Sequence, residues 1–135
     1  MEKTVGQIIE IYNLLFSYKT DDFNIYRKIR KVIPGIEEEY NIYCDVERKL
    51  LLKFAKLDGN GNPIINLMNE PEFKSEETKN EYIAEIIKIR NEIIEINIEG
   101  TTLKRSEWAS INIEYNYRVE KMLQGIINIE WEENQ

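Results

Sequence analysis

The chain has 135 residues, of which 42% are hydrophobic and 32% are charged, proportions that are typical of a folded domain and not of a disordered chain. It contains no histidine and one cysteine, Cys44, which excludes a disulfide within the chain and most zinc and hydrolytic mechanisms. No apolar run approaches the roughly 18 residues of a membrane span, and residues 1–4 lack the basic flank of a signal peptide. We therefore expect a cytoplasmic protein that needs no cofactor or metal and does not enter a membrane.

The net charge of −7 is distributed unevenly along the sequence. Residues 1–57 hold 10 basic and 9 acidic side chains, whereas residues 58–135 hold 8 and 16. A nucleic-acid-binding protein needs an excess of basic residues to displace the counterions of the phosphate backbone. Direct binding to DNA or RNA is therefore not expected, and the acidic second part favours a protein partner with a basic groove.

The first helix is indicated by apolar residues spaced three and four apart between Val5 and Phe16. Thr4 and Gln7 match a capping box, in which each side chain accepts a hydrogen bond from the other residue's amide. We expect this helix to end near Tyr18, and polar residues up to Asp22, which can cap the next helix, to follow it.

The second helix is predicted by ten positions that alternate spacings of three and four, all of them apolar except one glutamate. This pattern is typical of a coiled-coil-like seam, and it also predicts a homodimer that covers the seam. The seam residues are Tyr26, Ile29, Ile33, Ile36, Tyr40, Tyr43, Glu47, Leu50, Phe54 and Leu57. Because the register continues through Pro34-Gly35, one long helix kinked at the proline is favoured over two helices joined by a turn.

Two residues of this helix have open interpretations. Glu47 either pairs with a basic residue such as Arg48 or Lys104 and fixes the register, or marks the point where the seam reaches solvent. Cys44 lies beside the seam and is expected to be a small core residue.

The segment from Asp58 to Pro63 predicts a firm end to the second helix, because it contains two glycines and a proline. Residues 64–73 are expected to form an extended excursion or a hairpin arm. Asp58, Asn60 and Asn62 have the opening spacing of a calcium loop, but Pro63 and Asn69 replace its glycine and its closing glutamate. A turn is therefore favoured over a calcium site.

The third helix is predicted to begin after Ser75, an N-cap that is followed by two acidic residues. Its predicted apolar stripe comprises Tyr82, Ile83, Ile86, Ile87, the stem of Arg90, Ile93 and Ile94. From Ile94 to Glu99 the apolar period changes to two, which indicates a half-buried strand.

The tetrapeptide Ile-Asn-Ile-Glu occurs at residues 96–99, 111–114 and 127–130. Three short strands of one small sheet are one interpretation, and chance in a chain rich in Ile and Asn is the other. Between the last two copies, apolar residues from Tyr115 to Leu123 followed by Gly125 predict a short helix. Residues 126–131 form either a strand or a continuation of that helix.

Two charged clusters are candidate binding surfaces. The basic cluster on the second helix consists of Arg27, Lys28, Arg30 and Lys31. It is either a phosphate-binding face or a solvated face that pairs with the glutamates at 37–39, and the solvated face is favoured.

The acidic cluster begins on the third helix, where glutamates recur every four residues. Neighbouring glutamates on one helix face repel each other, and each such pair destabilises the helix by a few tenths of a kcal/mol. The cluster is predicted to continue along the polar face of the following strand as a strip for a basic partner. The candidate partner-binding residues are Glu77, Glu81, Glu85, Glu92, Glu95 and Glu99. The alternative is an acidic solvated face.

Carboxylate pairs alone do not indicate an active site when histidine, a metal motif and a glycine-rich phosphate loop are missing from the sequence. We therefore do not expect an enzyme. Trp108 and Trp131 are candidate interface anchors, with core packing as the alternative.

The chain resembles domain-of-unknown-function family 1617, small proteins of tailed phages and prophages of Gram-positive bacteria. The resemblance runs from about Tyr26 through the long helix, the Asp58–Pro63 turn, the motif Phe73-Lys74-Ser75-Glu76-Glu77 and the strand that starts at Ile93. It implies a phage origin and assigns no functional residue.

Together these patterns predict an α+β, predominantly helical fold in one domain, 1–135. Residues 1–57 are expected to form a helical hairpin, 58–75 the excursion, and 76–135 a helix, short strands and a late helix. The expected function is that of a non-enzymatic phage accessory protein that inhibits a host factor, such as a defence or nucleic-acid enzyme. A virion or tail-assembly component is the alternative, and a small enzyme is a distant third.

Overall fold

The computed structural model describes residues 1–111, 113 and 116–131. The elements in chain order are β1 (Glu2–Thr4), α1 (Val5–Phe16), α2 (Phe23–Phe54), α3 (Glu76–Arg90), β2 (Ile93–Glu95), β3 (Thr101–Lys104), α4 (Arg105–Ala109), α5 (Tyr117–Leu123) and β4 (Ile127–Glu130). This order confirms the predicted α+β, predominantly helical class.

Side-chain caps fix the starts of the first three helices at the predicted residues. The Thr4 hydroxyl accepts from the amide of Gln7 at 3.1 Å, and the Gln7 side chain accepts from the amide of Thr4 at 2.9 Å. The Asp22 carboxylate accepts from two amides of the first turn of α2, at 2.9 and 3.2 Å. The Ser75 hydroxyl accepts from an amide of α3 at 3.1 Å. Each cap satisfies backbone donors that have no partner within the helix.

Helix α2 continues without interruption through Pro34, so the alternative of two helices joined by a turn is wrong. Gly35 has a packing role, because a Cβ atom there would lie 2.8 Å from Cγ1 of Ile98. The helix therefore gives up about 1 kcal/mol of helix propensity to let the segment around Ile98 approach closely. At its other end α2 stops at Phe54, earlier than predicted, because Ala55 already pairs with Phe73 in an antiparallel bridge.

The strands form two separate two-stranded sheets, which corrects the prediction of one sheet built from three Ile-Asn-Ile-Glu segments. β1 pairs antiparallel with β2, and β3 pairs parallel with β4. The copy at 127–130 coincides with β4, which shows that these residues form a strand and not a helix. The copy at 96–99 keeps alternating burial but lies past the end of the ladder. The copy at 111–114 lies partly outside the described residues, as does the Tyr115 end of the late helix.

The chain divides into two compact units, whose boundaries do not coincide with the predicted segments. Unit 1 comprises residues 1–40 and 93–135, and unit 2 comprises residues 41–92. The expectation of a single domain stays a prediction.

Unit 1 contains the hydrophobic core. Ile8, Ile11 and Leu15 of α1 are buried together with one face of α2 and with Trp108 of α4. The other fully buried side chains of this core are Ile29, Val32, Ile36, Leu103, Ile111, Val119, Leu123, Ile126 and Ile127. The N-terminal part of the predicted seam is therefore covered within this chain.

Unit 2 contains the C-terminal part of α2, the excursion and α3. Two further antiparallel bridges, Leu57 with Pro63 and Ile65 with Pro71, confirm the predicted hairpin arm. Only Tyr43, Phe54 and Ala55 are buried among the residues of this unit, all of which the structure describes. The unit consequently has a thin apolar interior.

The predicted stripe of α3 is wrong for three isoleucines. Ile83, Ile87 and Ile93 are 41%, 53% and 66% exposed. The inward face is formed by Tyr82 and Ile86, as predicted, and by Ile89, which the predicted stripe did not include; all three are half-buried. The ring of Tyr82 packs 6.5 Å from Phe54 and 5.3 Å from Phe73, between ring centroids, and this packing turns its sequence neighbours about 100° away on the helix.

Candidate functional site

The acidic face of α3 is the surface that the sequence prediction named, and it consists of Glu77, Glu81 and Glu85. All three carboxylates are exposed on consecutive turns, and Lys88 lies in the same row. Within α3, which the structure describes in full, no side chain is buried. The helix therefore presents one flank of charge to solvent and, at 83 and 87, one flank of exposed isoleucine.

The other three predicted residues do not belong to this helix face. Glu92 is exposed after the end of α3. Glu95 lies on β2 in unit 1, where its carboxylate accepts a hydrogen bond of 2.8 Å from the amino group of Met1. Glu99 lines a cleft of unit 1. The structure thus brings Glu77, Glu81 and Glu85 together and gives Glu95 and Glu99 different surroundings.

The basic cluster is divided by the helix into two faces. Arg27, Lys28 and Lys31 line the same cleft as Glu99, whereas Arg30 faces the side of Tyr18 and Tyr26. The only member of the cluster with a carboxylate within 4 Å, among the described residues, is Lys28, whose Nζ lies 3.7 Å from Glu107. The predicted pairing with the glutamates at 37–39 is therefore not found within the described part of the chain.

Tyr43, Arg90 and Glu47 form a polar group between the two helices of unit 2. The Arg90 guanidinium donates from Nε to the Tyr43 hydroxyl at 3.0 Å. Burial, together with the neighbouring Glu47 carboxylate, raises the pKa of Tyr43 to about 12. Glu47 is half-buried beside Tyr43, and the described residues place no basic group within 4 Å of it, so of the two alternatives the pairing with Arg48 or Lys104 is not found.

Two sequence features have local structural explanations. The Asp58 carboxylate accepts from the amides of Asn60 and Asn62 at 2.8 and 3.1 Å, which is the geometry of a turn. Cys44 is exposed, in contrast to the expected core position, because it follows the buried Tyr43 and is rotated about 100° from it.

The two tryptophans have opposite environments. Trp108 is fully buried, and its indole N–H has no hydrogen-bond partner within the described structure. Trp131 is exposed, with the guanidinium carbon of Arg105 4.5 Å from its ring centroid. Trp108 is therefore a core residue, and only Trp131 remains a candidate interface anchor.

No helix in the described part of the chain has the length and apolar character required to cross a membrane. Among the same residues, no group of three or more His, Cys, Asp or Glu side chains has an arrangement that would hold a metal ion.

The fold and these surfaces define the class of the protein as a small α+β, predominantly helical one with a charged helical surface. Comparison with family models, with curated proteins and with solved structures gave no match.

Proposed function

We propose that this chain is a non-enzymatic accessory protein that binds another protein through the acidic face of α3. The observation that carries the proposal is that Glu77, Glu81 and Glu85 stand exposed on consecutive turns of a helix with no buried side chain. Like charges four residues apart destabilise a helix slightly, so this arrangement has a cost that a partner with a basic surface would offset.

A basic groove on the partner is the complementary surface. Opposite potentials on two proteins speed their association and select the partner, and both effects weaken as salt screens the charges. The partner that fits this chemistry is an enzyme that acts on nucleic acid, because its groove has to attract phosphates. Occupying that groove with carboxylates would inhibit the enzyme.

The proposed setting is a phage or prophage that inhibits a host defence or nucleic-acid enzyme in the bacterial cytoplasm. This setting is supported by the resemblance of the long helix and the Asp58–Pro63 turn to the phage family. The proposed lack of catalysis is supported by a sequence without histidine.

The test is charge reversal on the acidic face. The variant Glu77→Lys, Glu81→Lys, Glu85→Lys is expected to keep the fold, because all three side chains are exposed. The three lysines repel one another about as much as the three glutamates did. Partners are captured from bacterial lysate with the wild type and with the variant, and association rates are then measured at low and at physiological salt. We expect the variant to bind the captured partner at least tenfold more slowly at low salt.

A matched control distinguishes the effect of reversing charges on the acidic face from the effect of changing the net charge of the protein. Glu2, Glu37 and Glu38 are exposed and lie outside α3, so their triple replacement by lysine changes the net charge equally. This control is expected to keep most of the association rate. Unchanged kinetics in the α3 variant, or an equal loss in the control, would show that the acidic face is only a solvated surface.

A second candidate function is assembly with structural proteins of the virion or tail. The exposed side chains of Ile83 and Ile87 favour it, because a flank of isoleucine suits helix-to-helix packing. Replacing both by serine would weaken such a contact at every salt concentration, whereas a complex held by the acidic face would weaken mainly as salt rises.

A further inference from the structure

A polar cleft of about 1080 Å³ lies in unit 1 between α2 and the segment that leads into α4. Its volume is slightly above the usual range for small-molecule sites, about 300–1000 Å³. The α2 wall carries Arg27, Lys28 and Lys31, and the opposite wall carries Lys104 at the end of β3. Basic side chains that are distant in sequence are thus brought to one opening.

The charges of the cleft do not cancel. Of the residues that the structure describes, four basic side chains line it against two carboxylates, Glu99 and Glu107. Among the described residues, only Lys28 has a carboxylate within 4 Å, at the long distance of 3.7 Å. This positive site stands in a chain whose net charge is −7. An anion entering the cleft would find Arg27, Lys31 and Lys104 without a competing ion pair in the described structure.

The backbone of the cleft is held in place by close packing. Gly35 lies on the α2 side, where any side chain would collide with Ile98. Gly100 lies on the opposite side, and a Cβ atom there would collide with the carbonyl oxygen of Gly125. Within the described structure, the amides of residues 97–100, which line this wall, donate to no protein acceptor.

We propose that this cleft binds a polyphosphate group, an anion with at least two linked phosphoryl groups. Such a ligand needs several cations close together, and the cleft supplies them. In the described part of the chain no aromatic side chain lines it, so these residues offer no surface on which a base would stack. Its described apolar lining consists of Val32 and Ile98, which is too little for the anchors of a docked peptide. Recognition therefore rests on the phosphates.

Isothermal titration calorimetry with inorganic triphosphate tests the proposal on the full chain. The wild type is expected to bind one equivalent saturably at low salt. The variant Arg27→Gln, Lys31→Gln is expected to bind at least about tenfold more weakly, because it removes two of the four cations. Lys104→Gln, on the opposite wall, should weaken binding at least about threefold. All three side chains are exposed, so the variants should melt at the wild-type temperature.

The control double variant is Arg30→Gln, Lys19→Gln. It removes the same charge from exposed positions of unit 1 that do not line the cleft, and it should change the affinity less than about twofold. Equal weakening in the two double variants, or no saturable binding by the wild type, would overturn the proposal.

Further ligands identify the source of the phosphates. Equal affinity for triphosphate and ATP supports a free polyphosphate, and at least tenfold tighter binding of ATP supports a nucleotide. If an oligonucleotide or an oligoglutamate peptide binds more tightly than triphosphate and loses affinity in the Arg27, Lys31 variant, the cleft serves a macromolecule and the proposal is wrong.

Discussion

Alanine at position 35 provides a direct test of the packing between α2 and the segment around Ile98. A Cβ atom there would lie 2.8 Å from Cγ1 and 3.0 Å from Cδ1 of Ile98, closer than carbon atoms settle without displacement. Overpacking of this kind costs about 1–3 kcal/mol, whereas alanine gains about 1 kcal/mol over glycine inside a helix. We therefore expect Gly35→Ala to lower the free energy of unfolding by up to about 2 kcal/mol.

The effect of Gly35→Ala on the free energy of unfolding should change sign when residue 98 is also replaced by alanine. Ile98→Ala removes both colliding atoms and leaves its own Cβ 4.0 Å away, an ordinary contact distance. In that background Gly35→Ala should raise the free energy of unfolding by about 1 kcal/mol. Urea denaturation of the wild type, the two single variants and the double variant gives both values and their coupling. An equal effect of Gly35→Ala in the two backgrounds would refute the reasoning.

Gly100→Ala is expected to destabilise the protein by more than about 3 kcal/mol, because its Cβ would meet the backbone oxygen of Gly125, which cannot rotate away. Gly59→Ala, with no atom within 4 Å, should change stability by less than about 0.5 kcal/mol, and thermal melts that rank the two variants alike would contradict this explanation. Tyr43 has its pKa raised to about 12 from the usual 10, so its contribution to stability is fully present below pH 10 and is lost between pH 10 and 12. Tyr43→Phe should flatten this part of the curve of unfolding free energy against pH, and identical slopes for the two proteins would show that Tyr43 does not titrate in this way.

The helices and their caps were predictable because their signals are local. Thr4, Asp22 and Ser75 are short polar side chains directly before apolar periods, and each caps its helix as predicted. The apolar register through Pro34 likewise predicted one helix. A hydrogen bond between residues two or three apart depends on little beyond the residues themselves, so its sequence pattern is sufficient.

The inward face of α3 was not predictable from its own sequence, because its large apolar residues occur as adjacent pairs, Tyr82-Ile83 and Ile86-Ile87. Either member of a pair could face inward. Tyr82 with Ile83 offers two faces about 100° apart, and the choice between them depends on the distant rings of Phe54 and Phe73. The same limit applies to strand pairing, since β3 finds its parallel partner in residues 127–130.

The sequence predicted which charged residues lie close together along one helix, but not which residues distant in sequence share a surface. The three glutamates of α3 were found from their spacing of four. Lys104 was not linked to the basic cluster, because the chain between them is more than 70 residues long. The predicted homodimer stays a prediction, although burial of Ile29, Ile33 and Ile36 within the chain covers part of the apolar seam on which it rested.

The placement of Trp108 and Trp131 gives the two units different optical properties. Both indoles belong to unit 1, one enclosed in its core and one in contact with water, whereas residues 41–92 contain tyrosine and no tryptophan. Indole emission therefore follows only the unit that holds the core. Far-ultraviolet circular dichroism follows the helices of both units, since α2 and α3 contribute to residues 41–92. The native chain thus carries a built-in pair of signals that distinguishes unfolding of unit 2 from loss of the core of unit 1.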